Sequence, residues 1–354
     1  MRKGLLGVAA AALASWTPPP GRAEAVPAPT PQAVRSRHGF DARARESVDR
    51  GLAFLARRQN ANGSWHERVG YSLSGQFYGD EAESVYATSL ACLALMGSGN
   101  VPGRGRYGKE VDRAVHWLLS RSREEDGYIT HAGSRMYEHA LATLCLAEAA
   151  GMCLRRDLRL RVKASIYLLA TCQNVQGGWR HQPIPVDADM TVTGLVIQAI
   201  RAARNAGIAV PLEVVNGARK FVQSCSSRSG FAYMPVHGHV TYGTTCCGIV
   251  SLFAIGTYDS PDVRSALRIL QNRWLRTDPP GRLHYFYQHF FASQATYIAG
   301  ADEWGAYFPR VRDEILRIQH GDGHWIDDVG PVYATAMACL VLQMPLEYLP
   351  LFQR

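Results

Sequence analysis

The chain has 354 residues, 47% of them hydrophobic and 19% charged, with a formal net charge of +8. The length exceeds a typical single domain of ~100–200 residues, so either two domains or one repeat architecture is expected. The densest basic run, Arg155, Arg156, Arg159, Arg161 and Lys163, alternates with Leu158, Leu160 and Val162 as a solvated helix face does, so no nucleic acid partner is expected.

The N-terminus reads as a targeting segment. Arg2 and Lys3 precede the apolar run Leu5 to Trp16, and Ala23-Glu24-Ala25 offers small residues where a signal peptidase cuts. Residues 1–25 are therefore expected to be a cleaved signal peptide, and the protein to be exported to the periplasm or the cell exterior. Cleavage removes Arg2, Lys3, Arg22 and Glu24, which lowers the net charge to +6. Residues 26–40 begin with a Pro-rich stretch and read as a tether. The remainder, 41–354, has no second linker, which favours one repeat domain.

Strand signals are scarce, and helical periodicity predicts twelve helices, at about 42–58, 84–97, 108–121, 136–150, 156–172, 189–206, 211–225, 243–256, 260–275, 285–299, 304–319 and 332–343. They fall into six pairs. First members such as Asp41 to Arg58 are amphipathic, whereas second members such as Ala87 to Met96 carry almost no charge. A helix that is apolar all round must be buried all round, so the second members are expected to form an inner layer and the first an outer one.

The turns inside the pairs repeat. Gln59 to Trp65, Gln173 to Trp179 and Gln319 to Trp325 share a Gln, a Gly four residues later and a Trp two residues after that. Weaker copies surround Gly127, Gly230 and Gly281, so the six glycines are spaced by 64, 50, 53, 51 and 42 residues. A period near fifty marks an array of helical hairpins. The following helix repeats too: Tyr86 to Leu95 and Tyr333 to Leu342 are identical at seven of ten positions. The expected logic is a positive-φ glycine that ends the outer helix, a Gln that satisfies helix-end groups, and a Trp that seals neighbouring hairpins. Of the eight cysteines, Cys92, Cys145, Cys246, Cys247 and Cys339 sit in apolar helical runs and read as core. Cys153, Cys172 and Cys225 lie nearer helix ends, where one bridge among them stays open.

Three such turns, each before an all-apolar helix, resemble the repeats of the squalene-hopene cyclase, oxidosqualene cyclase and protein prenyltransferase group, with the likeness covering about residues 42–350. Within it the chain looks like the exported, single-toroid bacterial proteins with prenyltransferase and squalene oxidase repeats. The resemblance implies an all-α fold, an α/α toroid of about six helical hairpins. It also implies a candidate acid. In the cyclases an Asp-x-Asp-Asp-Thr motif heads an inner helix and its middle Asp protonates an alkene, which would make Asp189 the donor, with Asp187 and Thr191 as companions. Met190 stands where the last Asp of that motif would be, and read on its own position Asp189 is an N-cap. The Asp-x-Cys of the zinc-holding prenyltransferases is absent, so neither a metal nor a cofactor is expected. His139, His237, His239, His284 and His289 read as polar packing residues.

What remains is the mouth of the toroid, where the inner helices begin. Tyr86, Tyr137, Tyr242, Tyr285, Tyr287, His289 and Tyr333 are the expected ligand-binding residues there. The partner is then a hydrophobic small molecule or a peptide, with peripheral membrane contact left open. Two functions follow: a non-catalytic extracytoplasmic binding protein, or a terpenoid cyclase or prenyltransferase-like enzyme with Asp189 as general acid.

Overall fold

The computed structural model describes residues 39–69, 80–236, 238–274 and 284–353. The expected signal peptide, nearly all of the tether, His237 and the turn at Gly281 lie outside them. Twelve α-helices alternate along the described residues: α1 Ala42–Arg58, α2 Val85–Met96, α3 Gly108–Ser120, α4 Met136–Met152, α5 Arg156–Thr171, α6 Met190–Asn205, α7 Leu212–Ser224, α8 Tyr242–Ala254, α9 Pro261–Ile269, α10 Tyr285–Ala299, α11 Ala301–Arg317 and α12 Pro331–Gln343. A π-helical turn, Leu270–Trp274, continues α9. The even-numbered helices pack side by side in the order α2, α4, α6, α8, α10, α12 and back to α2, a closed ring. Each odd-numbered helix lies outside, against the inner helix of the preceding pair, and α1, α3, α5 and α7 also touch their own.

Burial follows the composition contrast. All twelve residues of α2 are buried, whereas α1 buries only the stripe Ala44, Ser47, Val48, Gly51, Leu52, Phe54 and Leu55. A helix with no polar face gains burial only between other elements, and the ring supplies neighbours on every side.

The turns act as stitches between repeats. The indole N–H groups of Trp65, Trp179 and Trp325 donate to the carbonyls of Leu55, Leu169 and Ile315, each ten residues back, at 2.8, 2.7 and 2.8 Å. The backbone N–H of each Trp donates to a threonine hydroxyl in the next inner helix, Thr88, Thr193 or Thr335, at 3.0 Å. The weaker copies keep this bond: Phe231 N–H meets Thr245 Oγ1 at 3.1 Å, and Ile129 N–H meets His139 Nδ1 at 3.0 Å.

The glutamines do something different from capping their own helix. Gln59, Gln173 and Gln319 Nε2 donate to the turn carbonyls of Gly63, Gly177 and Gly323. The same atoms also donate to carbonyls in the N-terminal parts of the next outer helices, those of Glu110, Val214 and Ser47. The bond from Gln319 to Ser47 therefore joins the last repeat to the first. Glycine is required in the turn for two reasons: Gly177 has φ +91, and a Cβ there would sit 2.0 Å from Gly217 O of the next outer helix.

Three features depart from the periodicity. A short hairpin of β1 His66–Val69 and β2 Asp80–Glu83 follows the first turn, and β3 Ser226–Ser227 with β4 Gly230–Phe231 forms the fourth turn. The eleventh helix starts at Ala301, not at 304, and contains Pro309. All eight cysteines are free thiols, so the bridge left open among Cys153, Cys172 and Cys225 does not form; Cys153 Sγ instead contacts Ala149 O at 3.2 Å.

One end of the ring is closed. The C-terminal segment folds over the inner-helix C-termini with Leu349, Leu351 and Phe352 buried, Pro350–Phe352 packs against α6, and Arg201 binds the Gln353 carbonyl. Nearer the middle, Gln198 of α6 donates to Gln294 of α10 at 2.8 Å. Those two helices are separated by α8 in the ring, so the bond crosses the interior. Gln198 lies eight residues into α6 and Gln294 nine into α10, about 12–14 Å from the helix starts. That amide pair forms the floor beneath the opposite end.

Candidate functional site at the inner-helix N-termini

Every inner helix follows an outer one, so all six begin at the same end. Side chains in a first helical turn lean back toward the N-terminus. The first-turn residues that face the ring interior therefore converge on one mouth. Among the residues expected there, Tyr86 is the second residue of α2, Tyr137 the second of α4, Tyr287 the third of α10 and Tyr333 the third of α12.

These four belong together. The rings of Tyr86 and Tyr333 meet edge-to-face at 6.1 Å, and Tyr86 donates to Arg68 O at 2.9 Å. Burial raises the Tyr333 hydroxyl well above its ordinary range, with Tyr137, Asp327 and Tyr86 adding to it. Tyr287 is raised in the same way by burial, then by Cys247 of α8 and by Tyr137 from the opposite side of the ring. The hydroxyl of Tyr287 is buried without a hydrogen-bond partner.

Tyr242, Tyr285 and His289 form a second group that faces another way. Positions 285 and 289 share one face of α10 while 287 and 291 share a different one, and the ring contacts follow: Tyr285 to His289 at 4.4 Å, Tyr287 to Phe291 at 5.0 Å. His289 also meets Tyr242 at 6.4 Å and binds Tyr307 of the outer helix α11, Nδ1 to hydroxyl, at 2.9 Å. It is buried, and burial holds its pKa down at about 3. A neutral imidazole packed between α8, α10 and α11 is a core residue, so of the expected rim this trio is packing between helices.

The histidines read as packing residues are explained case by case. His139 stands where the other repeats have the threonine that accepts the turn N–H, and burial lowers its pKa to about 4, which keeps Nδ1 an acceptor. His284 is the residue before α10 with φ +58, and the His239 carbonyl accepts from Tyr233 N–H. Among the described residues no three of His, Cys, Asp and Glu gather into a metal-holding group.

Asp189 is fully buried at the head of α6. Its Oδ1 accepts from the N–H groups of Thr191 and Val192, both at 2.9 Å, and from the Thr191 hydroxyl at 2.6 Å. This is a complete N-cap, and it satisfies donors that the helix leaves open. Oδ2 has no hydrogen bond but lies 3.7 Å from Arg180 Nε and 3.9 Å from His181 Nε2. Asp187 is half exposed and forms an ion pair with Arg180.

Two carboxyls that sequence reasoning did not single out flank the same mouth. Glu67, from β1 of the first repeat, accepts at Oε2 from Val332 and Tyr333 N–H at 2.9 and 3.2 Å, so it caps α12 of the last repeat. Burial outweighs those bonds and pushes its pKa up to about 7. Asp327 binds Val329 and Gly330 N–H in the turn before α12, and burial raises it to about 6. A signal existed: Glu67 and Asp327 both stand two residues after a turn Trp.

The comparisons agree with this architecture. The model of the prenyltransferase alpha-alpha toroid domain matches residues 36–133 and 127–283. No curated protein matches the chain. Among solved structures, the type II terpene cyclase MstE from Scytonema is similar at 14% identity and TM-score 0.60, over 87% of this chain and 99% of that one; a variant of it holds geranylgeranyl dihydroxybenzoate as substrate. A protein from Actinoplanes (16% identity, TM-score 0.61) and an alpha-1,6-mannanase from Salegentibacter (7%, TM-score 0.63) are each similar over 86% of this chain and 99% of theirs. At such identities the likeness is one of fold, shared by cyclase and glycosidase alike. With a family model spanning most of the ring and its stitched turns, the chain belongs to the prenyltransferase alpha-alpha toroid family.

Proposed function

We propose that the protein is a non-catalytic extracytoplasmic binding protein that holds a hydrophobic, isoprenoid-like or peptide ligand in the tyrosine-lined mouth. One observation carries the reading. Asp189, which the resemblance would make the catalytic acid, accepts three hydrogen bonds on one oxygen as the cap of α6. At the same end of the ring stand four phenol rings, those of Tyr86, Tyr137, Tyr287 and Tyr333, above an amide floor. Aromatic walls with a few polar tips suit an apolar ligand bearing one polar end.

The test is binding of a fluorescent prenyl alcohol to the purified protein. Asp189→Asn, which keeps a capping oxygen, should bind as the native chain does. The pair Tyr137→Ala and Tyr287→Ala should each weaken binding about tenfold, the effect of losing one buried aromatic contact. Equal affinity in all four proteins would refute the reading.

A second reading rests on the other oxygen of the same residue. Asp189 Oδ2 is buried without a hydrogen bond, so one oxygen of the candidate acid is not used by the cap. Incubation with squalene or a prenyl diphosphate followed by mass spectrometry decides it. A cyclised or transferred product that disappears in Asp189→Asn supports the enzyme and overturns the binding protein.

A further inference from the structure

Outside the ring, a groove of about 430 Å³ opens on the outer wall, lined by Arg228, Ser229, Ser265, Arg268, Ile269 and Asn272. Its construction is simple. Residues 265, 268, 269 and 272 lie at the i, i+3, i+4, i+7 spacing of one helix face, here the face of α9 and the π-helical turn that continues it. That face packs beside β4, and the β3–β4 tip brings Arg228 and Ser229 to the opposite bank.

Every polar side chain of the groove can donate, from two guanidinium groups, two hydroxyls and a carboxamide, and among the described residues no carboxylate lines it. Among the described residues, the side chains of Arg228, Ser265, Arg268 and Asn272 make no hydrogen bond or ion pair. The contrast with the neighbouring arginines is informative. Arg264 on the same helix is paired with Asp259, and Arg219 of α7 binds Asn216, Ile255 O and Thr257. Two cations left without a counter-charge in one concave site, with neutral donors between them, form a receptor for a polyvalent oxyanion. Guanidinium groups match phosphate oxygens two at a time.

We infer that this groove binds a phosphoryl group, a free phosphate or diphosphate or the phosphate of a larger ester, at a site separate from the toroid mouth. The volume is more than inorganic phosphate needs, so the phosphate ester has room for an attached moiety.

The test titrates inorganic pyrophosphate into the full-length protein by calorimetry, and in parallel measures co-sedimentation with phosphatidic acid vesicles against neutral phosphatidylcholine vesicles. Arg228→Gln and Arg268→Gln should each weaken binding about tenfold, and the double variant should abolish it, since each removes one charge-assisted contact. Arg264→Gln, an equal change in net charge on the same helix, should leave binding unchanged. Pyrophosphate binding with this pattern identifies a soluble ligand. Vesicle binding with the same pattern and no pyrophosphate response identifies a lipid-borne phosphate in the same groove. Loss in Arg264→Gln equal to that in Arg228→Gln would reduce the effect to general charge and overturn the site, as would no binding of either probe at millimolar phosphate. The unaltered thermal melting expected of all four variants separates loss of the site from loss of the fold.

Discussion

Glu67 makes the ring seam sensitive to pH, and the sign can be worked from its surroundings. Its carboxyl is buried against Gly330 and caps α12, and its pKa rises from 4.5 to about 7, chiefly through burial, with Glu81 adding to it. A carboxyl raised on folding binds its proton more tightly in the native state. Its contribution to stability is therefore full below the unfolded value near 4.5 and is lost as pH rises through about 7. The shift corresponds to about 3 kcal/mol at most. Glu67→Gln keeps an accepting oxygen for Val332 and Tyr333 N–H but cannot ionise. Urea unfolding of both proteins from pH 4.5 to 8 is the assay. The two should be nearly equal at pH 4.5, and the variant should gain on the native protein by up to about 3 kcal/mol by pH 8. Other titrating groups, Asp327 foremost, are present in both proteins, so the difference between the curves isolates Glu67. Parallel curves across that range would refute the reasoning.

The turn glycines divide by what surrounds them. Gly177→Ala combines φ +91 with a Cβ 2.0 Å from a backbone oxygen, whereas Gly133 has φ +79 and nothing within 4 Å; thermal melting should show a loss of about 4 kcal/mol or more in the first and about 1 kcal/mol in the second. Gln319→Ala removes the bonds that join the last repeat to Ser47, so it should cost about 2–3 kcal/mol in urea unfolding and speed hydrogen exchange in α1 and α12 ahead of α6. Equal exchange in all three helices would count against a seam at that point.

Much of the fold was legible because its information is local and repeated. The Gln, Gly and Trp of each turn, and the contrast between charged and uncharged helices, fix hairpins that cannot bury their inner members except in a closed layer. The register of the stitch, with Trp N–H on a threonine in the next helix, was already present in Thr88 and Thr335 of the two matching helices. The site was less legible. Tyr285, Tyr287 and His289 look equivalent along the sequence, yet the 100° step of the helix turns 285 and 289 onto Tyr307 and 287 toward Tyr137.

The sequence by itself determined a six-hairpin all-α array, its inner and outer layers, and the cap at Asp189. Only the tertiary structure decided how the ends meet. Glu67 and Val332 are 265 residues apart, and so are Arg57 and Asp322; the floor bond between Gln198 and Gln294 spans 96 residues. Contacts at such separations depend on the summed rotation of six repeats, a quantity no local pattern encodes, and it is ring closure that carries the first repeat's carboxyl to the last repeat's helix.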